Sequence, residues 1–277
     1  MPGTIQQELK RILLKKRAGG ETLVWLSEEN LKALGTRPGT FAHQTTPPAP
    51  LKTAPPAIAQ PASPVQPQIS TSMQPDTQAR LTAIQKASWE ELKSLSASCG
   101  ICGFCHECGH RFFAWGPPSA RLLFVGDFPT QEEDETGTSF AGNAGVMVYK
   151  MGTAMGFSWQ GNDRRKAVAL VNLFKCRPHS PYTEQHIQAC LPILKRQIEL
   201  IAPDALVLMG ALPLKCLNIQ GSFSALKGSW TSYLGIPAVV IQSPSVILRF
   251  ASMPEAFANE RRQAWNTLQE LMKYLQV

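Results

Sequence analysis

Three stretches of this chain carry residue types whose spacing suits chemistry. The first is Arg121–Gly145, RLLFVGDFPTQEEDETGTSFAGNAG, in which an apolar run (Leu122–Val125) stops at a Gly-Asp-Phe-Pro-Thr turn. An acidic loop and a glycine-spaced segment with one aromatic, Phe140, follow. The second is Asn172–Pro178, NLFKCRP, placed after another strand-like run, Ala167–Val171. Its carboxamide offers one acceptor and a donor pair. The third is the cysteine series Cys99, Cys102, Cys105 and Cys108, with His106 and His110 among them. The order strand, polar turn, aromatic loop puts functional groups at the carboxyl end of a buried strand, where open α/β sheets keep their ligand sites. Asn172 should emerge at the same edge, so the two strand ends make one crevice.

The cysteines allow three readings. Two C-x2-C pairs supply the four soft ligands of a zinc knuckle. A ferredoxin-like run is similar, but its bacterial form continues C-x3-C-P, and here Gly109 follows without a proline. In the third reading two of the four combine with Cys176 and Cys190, which otherwise read as ordinary buried thiols. Cys216, on a short apolar helix, is expected in the core.

The elements that must position these groups alternate along the chain. Strand-like Leu122–Val125 precedes helix-like Ala144–Met155, and Val168–Val171 precedes a long helix near Glu184–Ile201, closed by Pro203. Ala205–Met209 is a third strand, followed by a short helix over Leu212–Leu217. Ala238–Ile241 is the fourth, and Glu255–Leu275 is a terminal amphipathic helix. Alternation of this kind predicts an α/β fold, a three-layer α/β/α sandwich around a mostly parallel four-stranded sheet. Ahead of it, Leu81–Leu95 reads as an amphipathic helix. Residues 42–80 hold nine prolines and three charged residues, a composition that predicts a disordered linker. Residues 1–41 contain two short helical patterns, Ile5–Lys16 and Ser27–Leu34. The expected organisation is therefore a short helical N-terminal segment (1–41), a Pro-rich linker (42–80) and one catalytic or binding domain (81–277).

The 277 residues carry a net charge of +7, which favours a polyanionic partner such as nucleic acid. No apolar run reaches the roughly 18 residues of a membrane span, and MPGTIQQELKR lacks the apolar core of a signal peptide. A cytoplasmic location is expected, where clustered cysteines hold metals more often than disulfides.

Taken together, the motifs resemble the family 4 uracil-DNA glycosylases, the iron–sulfur branch of that superfamily, over about residues 88–277. Gly126-Asp-Phe-Pro-Thr130 matches the family's G-E-[AG]-P-G. Glu132–Asp134 and Gly137-Thr-Ser-Phe-Ala-Gly-Asn-Ala-Gly145 match its acidic segment and G-x-P-F-x-G-x-A-G. Val171-Asn-Leu-Phe-Lys-Cys-Arg-Pro178 matches T-N-x-x-K-C-R-P, and Ser243-Pro-Ser-Val-Ile-Leu-Arg249 matches H-P-S-x-L-L-R. The resemblance implies a DNA repair enzyme that hydrolyses the N-glycosidic bond of uracil and leaves an abasic site. It also implies a [4Fe–4S] cluster held by Cys99, Cys102, Cys176 and Cys190, with Cys105 an alternative partner in the first pair.

On that resemblance, Asp127 replaces the family's glutamate as the carboxylate that positions water or stabilises cationic sugar. Gly126, Phe128 and Pro129 shape the substrate loop, Phe140 stacks on the flipped base, and Asn172 reads the N3–H and O4 edge of uracil. Lys175, Arg177 and Arg249 are assigned to phosphate. Ser243 stands where the family places a histidine that donates to uracil O2, and Thr130 stands where it places glycine. Loss of such a preorganised donor costs on the order of a hundred- to a thousandfold in rate. These departures keep a second expectation open, a weak or inactive glycosylase-fold protein that binds DNA or senses lesions. The expected partner is uracil-containing DNA, bound by a monomer, with residues 1–41 available to dock a repair or replication protein.

Overall fold

The apolar runs become strands of one sheet. In this computed structural model, which describes residues 75–277 apart from 101, 103–107 and 162, Leu122–Gly126 (β1), Val168–Asn172 (β2), Ala205–Met209 (β3) and Ile236–Ile241 (β5) run parallel. Trp230–Tyr233 (β4) adds an antiparallel edge, giving the order β2-β1-β3-β5-β4. The helical patterns expected within residues 1–41 lie outside the described residues, as does the linker up to residue 74. The chain divides into units 1–68 and 69–277, and the second unit is the one described.

Every residue of β1 and β3 is buried, the signature of strands covered on both faces. Alternate side chains serve opposite faces. Leu123, Val125, Ala169 and Val171 join Leu206 and Leu208 against the stripe Ile187, Cys190, Leu191, Leu194 and Ile198 of helix α5 (Glu184–Ile201). Leu122, Phe124, Val168 and Val207 face the other layer, built from α4 (Gly142–Ala154) and α9 (Pro254–Leu275) with Trp159. Each such fully buried apolar side chain contributes about 1.5–3 kcal/mol relative to exposure. The three-layer expectation therefore holds, with five strands in place of four. WTSY escapes detection because it is an edge strand in which only Tyr233 is buried, so it has no two-faced apolar run.

Two further differences have local causes. The helix expected over Leu81–Leu95 is a pair, α1 (Pro75–Lys86) and α2 (Trp89–Ala97). The break comes at Ser88, whose hydroxyl caps Glu91 N while the Glu91 carboxylate accepts from Ser88 N at 2.8 Å. Residues 75–80, assigned to the linker on composition, are thus helical. Ile84, Ala87 and Leu92 pack this pair on Ile193 of α5. The acidic segment is also not a loop: Gln131–Thr136 forms helix α3, capped by Thr130 and Glu133.

At the amino ends of the strands, Asp204 joins Arg121 at 2.8 Å and Arg164 at 3.0 Å, and Arg121 also donates to the Leu275 carbonyl. This clamp closes one end of the sheet. At the other end the chain leaves β1 for β2 through α4 on one face, and leaves β2 for β3 through α5 on the opposite face. That reversal opens a crevice beyond the carboxyl ends of the strands.

Candidate active site

The crevice is a pocket of about 540 Å³ whose wall includes Gly126, Asp127, Phe128, Phe140, Asn172 and Ser243. Arg177 and Arg249 also reach it. Asn172 ends β2 opposite Gly126 of β1. A Cβ on Gly126 would overlap the Asn172 carboxamide oxygen, so glycine is required for the carboxamide to stand over the strand end. The β1–β2 pairing continues past the strands, with Leu173 N donating to Gly126 O at 2.9 Å and Phe174 N to Asp127 O at 3.0 Å. These bonds fix the backbone that presents Asp127.

Asp127 is the electrostatic anomaly of the pocket. Its Oδ1 is buried and has no hydrogen-bond partner, and burial pushes the carboxyl from 3.8 up to about 7. Across from it, Gly210 adopts φ +92, and a Cβ there would sit 3.3 Å from Ser243 Cβ and 3.4 Å from Asp127 Oδ2. Asp127 and Ser243 therefore flank one narrow space. Ser243 is the N-cap of α8 (Pro244–Arg249), its hydroxyl oxygen accepting from Val246 N at 3.4 Å.

Phe140 is held from behind. Its ring meets Trp159 at 4.7 Å, Trp115 at 5.4 Å and Tyr149 at 5.7 Å between centroids, edge-on contacts worth about 0.5–1.5 kcal/mol each. Only 9% of the residue is exposed, so Phe140 is at once a core aromatic and a wall of the pocket. Its backbone takes φ +63. Glu133 secures that conformation: one carboxylate oxygen accepts from Phe140 N at 2.7 Å and the other from Thr130 N at 2.8 Å. Thr130, which stands where the family places glycine, lines the pocket and caps α3. In the sequence Glu133 reads only as part of the acidic segment Glu132–Asp134, although Thr130-x-x-Glu133 has the spacing of a capping box.

The family model described as the uracil DNA glycosylase superfamily matches residues 113–269, a span that contains all of these pocket residues. The chain belongs to the uracil-DNA glycosylase superfamily. Among curated relatives it is 35% identical over 141 residues to the type-4 uracil-DNA glycosylase of Thermotoga maritima, covering 48% of this chain and 69% of that one. The type-4 enzyme of Sulfurisphaera tokodaii is 33% identical over 126 residues, covering 44% and 54%. That of Archaeoglobus fulgidus is 34% identical over 97 residues, covering 34% and 46%. The chain thus spans about two thirds of the first relative's length and about half of the other two.

In this glycosylase-family pocket two of the three residues expected at phosphate, Arg177 and Arg249, line the wall. Arg249 is exposed at the end of α8, and Arg177 donates to Pro129 O at 3.4 Å while lining the pocket. Pro129 itself is buried behind the wall. Lys175 is a correction: it is 2% exposed, and its ammonium donates to the Asn172 carbonyl and to Gln197 Oε1. A side chain so enclosed cannot reach a phosphate. Among the described residues no helix is long and apolar enough to cross a membrane.

The glycosylase fold also gathers the thiols. Cys102 hydrogen-bonds with both Cys176 and Cys190; Cys108 bears on Cys176, and Cys99 on Cys190. The Cys102 bonds, burial and mutual repulsion push the Cys176 and Cys190 thiols well above their ordinary range. A neighbouring cation would relieve that crowding, so the donor set suits a thiolate-bound metal group. Among the described residues no three ligating side chains are arranged to hold a metal ion as they stand. Cys105 lies outside the described residues. Asp134 braces the segment that follows: burial alone would raise its carboxyl, but hydrogen bonds from His110 N, Gly109 N and His179 hold it below the usual range.

Proposed function

We propose that this protein is a monofunctional DNA glycosylase that hydrolyses the N-glycosidic bond of uracil in DNA. The observation that carries the reading is the unpartnered Asp127 Oδ1 in the pocket wall. Leaving a buried carboxylate oxygen unpaired costs about 1–3 kcal/mol or more, and a substrate or its attacking water would relieve it.

In the reaction the uracil leaves the base stack at a cost of a few kcal/mol, offset by pocket contacts. Phe140 supplies a rigid aromatic wall. The Asn172 carbonyl accepts from N3–H and its amide donates to O4, a pattern that cytosine reverses. As the C1′–N1 bond lengthens, ionised Asp127 stabilises the cation-like sugar and accepts a proton from the water whose oxygen bonds to C1′. The uracil departs as an N1 anion. The Ser243 oxygen accepts from Val246 N, leaving the hydroxyl proton for uracil O2. Gly126, Phe128 and Pro129 shape the loop beside the deoxyribose, and Arg177 and Arg249 hold flanking phosphates. Cys102, Cys176 and Cys190 with Cys99 would hold a [4Fe–4S] cluster, which would tie the cysteine-rich segment to the sheet, since hydrolysis needs no redox step.

Single-turnover incubation with an oligonucleotide containing one uracil tests this reading against a matched thymine control. Alkali-labile sites only in the uracil strand are expected. The second reading, a lesion-binding protein without catalysis, rests on the short Ser243 side chain, which is tied to the start of α8 and brings a single hydroxyl donor to the pocket. Tight binding of uracil or abasic DNA with no excision would select it.

A further inference from the structure

Lys175 lies in the core, where the ionisable groups bearing on it among the described residues are the Cys190 and Cys176 thiols. Its Nζ donates to the main-chain carbonyl of Asn172, the last residue of β2, and to Gln197 Oε1 at 2.5 Å. Gln197, 0% exposed on α5, donates its amide to the Phe113 carbonyl at 2.7 Å. Phe112 N donates to the Lys175 carbonyl at 2.6 Å. A polar strut thus runs from the segment after the cysteines, through α5, to the peptide that carries the Asn172 side chain.

The position of this strut matters more than its charge. Leu173 N and Phe174 N carry the bonding to β1 past the Gly126–Asn172 pair, while the Asn172 carbonyl at this strand end takes the Lys175 side chain as its donor. Lys175, three residues on, turns back onto that carbonyl, and together with the Leu173 N bond to Gly126 O it holds both ends of the peptide between Asn172 and Leu173. Loss of the lysine would free that peptide to tilt and shift the Asn172 Cα, displacing the carboxamide at the pocket wall. Gln197 holds the lysine in place because its own amide is anchored to a second main-chain carbonyl. A displacement of about 1 Å in a group that reads a substrate can cost on the order of a hundredfold.

We propose that Lys175, held by Gln197, is a positioning residue for Asn172 and sets how sharply the pocket distinguishes uracil from cytosine. The inference rests on the reading that Asn172 contacts the base. The test is the ratio of dissociation constants for oligonucleotides with uracil or cytosine at one position, by fluorescence anisotropy, with abasic-site DNA as the base-free control. Lys175→Met should lower the uracil preference by roughly ten- to a hundredfold, towards that of Asn172→Ala, while abasic-site affinity stays within about threefold. Gln197→Leu, which removes both the acceptor for the lysine and the donor to the Phe113 carbonyl, should act in the same direction.

Lys175→Met folded by circular dichroism with a wild-type ratio would overturn the proposal. If that variant does not fold, a wild-type ratio in Gln197→Leu overturns it instead. Equal loss on all three DNAs would mark the strut as merely structural and overturn it too. If Asn172→Ala itself leaves the ratio unchanged, the base-reading role of Asn172 fails, a result separable from failure of the strut.

Discussion

Replacing the unpartnered carboxylate with a neutral isostere, Asp127→Asn, should change stability and rate with opposite dependence on pH. Burial raises Asp127 from 3.8 to about 7, so between those values the folded protein holds a proton that the unfolded chain has lost. Stability then falls as pH rises through this window and is level above about pH 8. The full displacement corresponds to on the order of 4 kcal/mol. Partial contact with solvent at the pocket wall reduces the expected figure to roughly 2–3 kcal/mol. Asp127→Asn, which cannot ionise, should match the parent protein in urea unfolding near pH 4 and exceed it by that amount at pH 8. Excision requires the ionised form, so log rate should climb with unit slope and level off above pH about 7. The single-turnover rate at pH 5.5 should be about thirtyfold below the plateau, and Asp127→Asn should lose both the rate and its pH dependence. A flat profile between pH 5.5 and 8.5, with no stability gain for Asp127→Asn at pH 8, would refute the assignment of Asp127 as the titrating base.

Ser243→His should raise single-turnover uracil excision by roughly ten- to a thousandfold, with much less change in abasic-DNA affinity, because the added donor acts chiefly in the transition state; undetectable excision with binding intact would favour the lesion-binding reading. Glu133→Ala removes the acceptor for Phe140 N and Thr130 N and should cost about 2–4 kcal/mol in urea unfolding, whereas a loss under about 1 kcal/mol would show that the φ +63 conformation is held by the aromatic packing instead. Anaerobically purified protein should be brown, with about four irons per chain and little zinc. Cys102→Ala should abolish the colour, since that thiol adjoins both Cys176 and Cys190, and stoichiometric zinc without iron would contradict the cluster.

The sequence alone determined the sheet and its order of elements, because strands buried on both faces must be near-continuous apolar runs and a covering helix must carry a stripe. It brought out Ala205–Met209 and Glu184–Ile201 with the bounds that the structure has. It also sent Asp127 and Asn172 to one crevice, since turn residues after a buried strand have one place to go, whereas Ser243 was singled out by the resemblance to the glycosylases. Edge strand β4 was illegible, being half solvated, and the break between α1 and α2 depended on a cap at Ser88 rather than on periodicity. Tertiary structure alone decided the fate of individual side chains. A lysine in a motif reads the same whether it faces solvent or core, and only the closure of α5 over β2 turns Lys175 inward onto the Asn172 carbonyl. Likewise Phe140 reads in sequence only as the aromatic of a glycine-spaced segment, and the packing of Trp115, Tyr149 and Trp159 makes it a fixed wall. The raised carboxyl of Asp127 is decided at the same level, because desolvation is a property of what surrounds a group and not of its neighbours along the chain.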